Sequence, residues 1–215
     1  MKKYKLTNET IVYFGFTLYR IEALMDFSDV KTGDKGGFVQ SDDNLSQLGN
    51  AWVYGNAKVF GEAKVFDNAN VFGDAEVYDN AEVCGDAKVR CNASVYGNAS
   101  VYGNAEVFDY AEVYNNAKVC GNASVFCDAK VYGKAEVRGD AKVYKNSDYI
   151  VFKNWWSSGR YFTWTRSNNM WKVGCFYGKG EELIKKAYAD SEESGREYER
   201  VVRYVESILA DKLNK

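Results

Sequence analysis

The sequence predicts a mainly β protein whose centre coils as a three-sided parallel β-helix of about five turns. Three observations carry that expectation. Alanine recurs every six residues from Ala51 to Ala141, and valine follows two places later from Val53 to Val143, giving sixteen unbroken units. Each unit reads Ala-x-Val-aromatic-Gly/Asp-Asn/Asp, as in AKVFGE or AEVYDN. Ala and Val alternating with polar residues is the period-two mark of a short strand with one buried face, and the Gly-Asn or Asp-Asn pair is turn chemistry. A strand of four residues cannot bury its face alone, so units must stack. Three six-residue sides per turn set residue i beneath residue i+18, at a coil spacing of about 4.8 Å.

The segments outside the repeat read as caps. Residues 1–48 form an N-terminal β cap: TIVYFGFTLYRIEAL alternates around Gly15 as a hairpin, and VKTGDKGGFV supplies turn glycines before a last strand. An open prism end would leave unpaired strand edges, which a cap covers. Residues 49–147 are the repeat. Residues 148–215 form a C-terminal domain of a β-hairpin and two helices, with strands expected in the tryptophan-rich YIVFKNWWSSGRYFTWTRSNNMWKVGCFYG and a turn at Ser167-Asn168-Asn169. The first helix is expected to begin near Glu181. The second is expected to open with Ser194 and Glu197 at capping-box spacing and to bury Tyr198, Val201, Val202, Val205, Ile208 and Leu209.

The repeat resembles the hexapeptide-repeat, left-handed β-helix family, in which an aliphatic residue and a small residue two places before it line a triangular prism. Left-handedness is implied by that resemblance. Family repeats carry Gly directly after the aliphatic residue, whereas here Tyr, Phe, Cys or Arg stands there and Gly follows one place later. Across most of the chain, TLYRIEAL, GGFVQSDDNL, VGCFYGKGEEL and EYERVV resemble a family of uncharacterised phage and prophage proteins with the same head, hexapeptide middle and tail. That likeness implies a phage accessory protein in the host cytoplasm. It implies no activity.

Composition narrows the chemistry. The chain has 215 residues, 28 Lys+Arg against 30 Asp+Glu, and no histidine. A net charge of −2 gives no basic stripe, so nucleic acid is not an expected partner. No apolar run reaches the ~18 residues of a membrane span and no signal peptide stands at the start, so no membrane partner and a cytoplasmic location are expected. Hexapeptide-repeat acyltransferases use a histidine base, and the related carbonic anhydrases bind metal through histidines; with none present, neither chemistry is expected in its known form. No catalytic residue, metal ligand or cofactor is therefore expected. The five cysteines read as reduced thiols: Cys84 and Cys120, like Cys91 and Cys127, lie two coils or about 9.6 Å apart, beyond the roughly 7 Å limit for a disulfide.

The position after each valine carries the functional expectation. Sorting by coil places Tyr54, Phe72, Arg90, Phe108, Phe126 and Tyr144 on one side, and Phe66, Cys84, Tyr102, Cys120 and Arg138 on another. The third side holds Phe60, Tyr78, Tyr96, Tyr114 and Tyr132 without interruption. Alternation turns these rings outward, where they either stack on one another or form a contact surface. The expectation is a non-catalytic, homo-oligomeric binding scaffold with that row as its interface, taking a host defence protein or a small signalling ligand. The alternatives are an acyltransferase-like enzyme with a non-histidine base and a structural virion or surface component.

Overall fold

In the computed structural model, residues 2–213 are described. The chain opens with an antiparallel hairpin, β1 (Tyr4–Tyr13) and β2 (Phe16–Ala23), joined at Phe14-Gly15. Both turn residues have positive φ, 47° and 82°, as a two-residue hairpin turn that matches strand twist requires. Strand β3 (Lys35–Val39) pairs antiparallel with β2 on one edge and parallel with Lys58–Val59 on the other.

Sixteen two-residue strands follow, β4 to β19, from Trp52–Val53 to Lys142–Val143. Each pairs in parallel with the strand three units on, so Val59, Val77, Val95, Val113 and Val131 stack in register on one side. Every Ala and Val of the repeat is buried, and together they form a single continuous core. The prism has about six turns, one more than the alanine period indicates. The added rung is β3 and Leu45, which pair with Val59 and Val65. It lacks the alanine signature because Ser41 caps a short 3-10 turn, Asp42–Asn44, and the spacing from Leu45 to Val53 exceeds six residues. Gly36 and Gly37, read from the sequence as turn glycines, lie inside β3. A Cβ there would stand 2.6 Å from the Val53 carbonyl or 2.5 Å from that of Ala57, so close backbone approach, rather than a turn, requires them.

At the corners the fifth residue of every unit from Gly55 to Gly139 has positive φ. Glycine holds most of these places, and Asp67, Asp79 and Asp109 hold others because short polar side chains tolerate that region and bond locally. Their carboxylates accept from the amides of Gly85, Gly97 and Cys127 one coil on, at 3.2, 3.1 and 3.3 Å. The sixth residue builds amide ladders: Asn50 donates to Asn68 at 3.0 Å, and Asn68 to Asp86 at 3.1 Å.

The parallel stack is polar end to end. Amides of one coil donate to carbonyls of the next, as Lys58 N–H does to the Ala75 carbonyl at 2.9 Å, so the N-terminal end would bare carbonyls and the C-terminal end amides. Unmet backbone groups of this kind are costly, and each end carries the complementary chemistry. At the first turn the donors are Lys3 to Ala51 (2.9 Å), Arg20 to Gly55 (3.1 Å) and Asn44 to Gly61 and Ala63 (2.9 and 3.0 Å). At the last turn the acceptors are side-chain oxygens, one per side: Asn146 for Lys130 N–H (2.8 Å), Thr163 for Glu136 N–H (2.9 Å) and Ser167 for Lys142 N–H (2.6 Å).

The tail is a four-stranded antiparallel meander, β20 (Tyr149–Lys153), β21 (Tyr161–Thr165), β22 (Met170–Val173) and β23 (Phe176–Gly178), with the expected turn between β21 and β22. Helices α1 (Gly180–Asp190) and α2 (Glu192–Leu213) pack on it around Phe162, Trp164, Trp171, Leu183, Ile184, Val202 and Val205. The second helix starts earlier than Ser194, which lies inside α2 and donates its N–H to Ser191 Oγ at 3.1 Å. Ser191 ends α1 in extended conformation and caps α2 at once, because Gly195 packs against the Tyr188 ring where no Cβ fits and so brings the helices close. No described helix is long and apolar enough to cross a membrane.

Candidate functional site

The third-side row is an ordered stack. Ring centroids lie 5.1 Å apart for Phe60 and Tyr78, 4.9 Å for Tyr78 and Tyr96, 5.0 Å for Tyr96 and Tyr114, and 5.3 Å for Tyr114 and Tyr132. Interplanar angles stay between 2° and 14°, because identical rotamers on strands in register must lie parallel. Ring faces are therefore spent on one another. What the row offers outward is ring edges and hydroxyls.

Phe60 does not belong to the open surface. It is 3% exposed, beneath Tyr13, Phe14 and Phe16 of the hairpin and packed with Leu18 and Phe38. The sequence offers no sign of this, because only folding carries the hairpin tip across the first coil. Tyr78, Tyr96 and Tyr114 are half-buried, and Tyr132 is 47% exposed. The open row is thus Tyr78, Tyr96, Tyr114 and Tyr132.

Its flank is charged but locally balanced. Lys58 meets Glu76 at 3.7 Å and Lys130 meets Glu112 at 2.7 Å, with Ser94 between the two pairs. Tyr96 donates to Glu112 at 2.8 Å, and Tyr13 donates to Glu76. Burial, with Asp79 and the two glutamates nearby, pushes the Tyr78 phenol up to about 12; burial and the Glu112 bond raise Tyr96 further. These phenols are neutral donors at physiological pH.

The other two sides carry broken rows. Tyr54 stacks on Phe72 at 4.5 Å, but Arg90 interrupts and lays its guanidinium 4.0 Å from the Phe108 centroid. On the remaining side Cys120 is 1% exposed, and burial pushes its thiol up, which keeps it protonated and a poor nucleophile. All five cysteines are free.

A second concave region lies where the last coils meet the tail, and it was not legible beforehand. A cleft of about 310 Å³ is lined by Lys118, Lys134, Glu136, Arg160, Tyr161, Thr163 and Lys172, among others. Lys118 and Lys134 come from neighbouring coils, and the remaining cations come from the meander. Lys134 lies sixteen positions after Lys118, and Lys172 lies in the following domain, so no spacing rule connects the set.

The fold and these surfaces define a capped parallel β-solenoid with ordered side-chain ladders. No protein-family model matches the chain, and no curated protein matches it.

Proposed function

We propose that the protein is a non-catalytic binding scaffold that self-associates through the tyrosine row, with a second copy of the chain as the occupant. The observation that carries this reading is the uninterrupted row Tyr78, Tyr96, Tyr114 and Tyr132, whose rings recur every 5 Å or so between internally neutralised charge pairs. A second copy presents the same period by construction, so two rows laid against each other by a two-fold axis keep matching along their length. Tyrosine suits such a contact because it is rigid, amphipathic and loses little rotamer entropy. The paired lysines and glutamates furnish a polar rim that needs no charge from the partner.

The likeness to phage and prophage proteins extends the reading to phage–host conflict, in which the assembled scaffold would sequester a host defence protein or a small signalling ligand. The test is the double change Tyr96→Ser, Tyr114→Ser, with light scattering for mass and circular dichroism for fold. A folded variant that falls from oligomer to monomer mass supports the reading. A monomeric wild-type chain, or a variant that keeps its mass, overturns it.

A further inference from the structure

The junction between prism and tail gathers positive charge that the rest of the fold does not use. Lys172 is 9% exposed, bonds the Gly174 carbonyl and lies 3.5 Å from Glu136, so its charge is partly met inside the protein. Lys118, Lys134 and Arg160 have no carboxylate within ion-pair distance among the described residues; Lys134 rests instead 5.1 Å from the Tyr161 ring centroid. Glu136 is the one carboxylate on this lining, and it is already shared between Lys172 and Arg138, which lies 3.6 Å away. Three cations without a carboxylate partner, beside Lys172, give this lining a local positive charge in a chain of net charge −2, which an anion would complement. Two neutral donors face the same space. The Thr163 hydroxyl accepts from Glu136 N–H and keeps its own proton to give, and the Tyr161 phenol has no hydrogen-bond partner among the described residues.

The cleft has a neighbour. A second hollow of about 230 Å³ is floored by Val173, Phe176, Leu183, Ala187 and Tyr198, with Lys186 and Asp190 at its side. Arg160 and Gly174 line both hollows, so the two lie side by side at that pair. Ligand sites combine an apolar floor with a few converging polar groups, and together these chambers reach the usual size of such a site. We propose that they form one binding site for a phosphorylated small molecule: the phosphate lies among Lys118, Lys134 and Arg160, and a flat ring lies on Phe176 and Tyr198 with a donor edge toward the Asp190 carboxylate. A nucleoside diphosphate has this combination. Arginine at the boundary can bridge two phosphate oxygens with its planar fork, while the lysines act as point charges. This site is separate from the tyrosine row and stands whether or not the chain self-associates.

The full-length protein tests it with GDP, inorganic pyrophosphate, guanosine and sulfate by titration calorimetry. GDP is expected to bind one per chain, tighter than pyrophosphate, with sulfate and guanosine at least tenfold weaker than GDP. The double change Lys118→Gln, Lys134→Gln touches two exposed side chains and should weaken both phosphates tenfold or more while leaving circular dichroism unchanged. Alkylation supplies an independent reading. Cys175 is exposed and lines the second hollow, whereas Cys127 is exposed on the prism and serves as control. GDP should slow maleimide labelling of Cys175 and leave Cys127 unaffected. Absence of heat with millimolar GDP and pyrophosphate, sulfate binding as well as GDP, or GDP affinity unchanged in the double variant would overturn the site. Equal affinity for GDP and pyrophosphate, with Cys175 unprotected, would overturn the ring chamber.

Discussion

Val95 is the sharpest point at which to test the prism interior. It is fully buried at the middle of a stack of valines, between Val77 and Val113, and its surroundings are alanine and valine side chains with no polar group to meet a charge. Val95→Asp forfeits about 1.5–3 kcal/mol of apolar burial. It also buries an unpaired carboxylate, or the protonated acid, at a further several kcal/mol. The sum approaches the 5–15 kcal/mol that holds an ordinary domain folded, so the variant should be insoluble or unfolded. Ser94, one residue away, faces outward. From the sequence Ser94→Asp is expected to be near neutral, but its register partners are Glu76 and Glu112, so a new carboxylate meets like charge on both sides. Each such pairing costs about 0.2–1 kcal/mol, softened here by Lys58 and Lys130. Urea unfolding followed by circular dichroism should therefore order the variants as Ser94→Asn near wild type, Ser94→Asp lower by about 1 kcal/mol, and Val95→Asp without a native baseline. Equal midpoints for Val95→Asp and Ser94→Asp would refute the inward assignment and with it the packing of the whole prism.

Other consequences are open to measurement. Thr163→Val removes the acceptor for Glu136 N–H at the last coil and should cost about 1–3 kcal/mol in thermal or urea unfolding, whereas Thr163→Ser should restore most of it. Gly85→Ala places a Cβ 2.9 Å from the Gly103 nitrogen at a φ of 69°, and should lower the unfolding midpoint more than an alanine at the open corner Gly133. Cys91 occupies the same left-handed position at a φ of 63°, and Cys91→Gly should relieve about 1 kcal/mol of that strain, partly offset by the freer unfolded chain. Alkali should unfold the protein in a definite window. Tyr78 is pushed up to about 12 by burial, and Tyr13 to about 12 by its bond to Glu76 and by burial, from an unfolded value of 10.0. The unfolded chain loses these protons first, so stability is full below pH 10 and falls as pH rises toward 12. A fraction of the phenolate absorbance should rise only together with the loss of circular dichroism; complete ionisation of the tyrosines with the fold intact would contradict the burial of Tyr78 and Tyr13.

The repeat made the prism legible because its period is enforced at every turn by the same two constraints, a small and a branched residue inside and a turn at the corner. One side's run of Phe60, Tyr78, Tyr96, Tyr114 and Tyr132 followed from counting alone. Counting failed at the added rung, where Val39 and Leu45 do the work of repeat valines without alanines beside them, and where Gly36 and Gly37 serve close approach instead of a turn. It failed again at Ser194, because the junction residue Ser191 caps two helices at once.

By itself, then, the sequence determined the coil, its three sides, which residues point inward and the presence of distinct ends. All of these depend on neighbours in sequence or one fixed period away. Tertiary structure decided what has no period. It brought the hairpin tip over Phe60 and shortened the open row by one ring. It matched Lys3, Arg20 and Asn44 to bared carbonyls at one end and Asn146, Thr163 and Ser167 to bared amides at the other. It also set Lys118 and Lys134 of the prism against Arg160 and Lys172 of the tail. The physical reason is common to all three: a backbone end or an exposed charge needs only some complementary group within reach, and which segment supplies it is fixed by how the caps dock, not by any local preference of the chain.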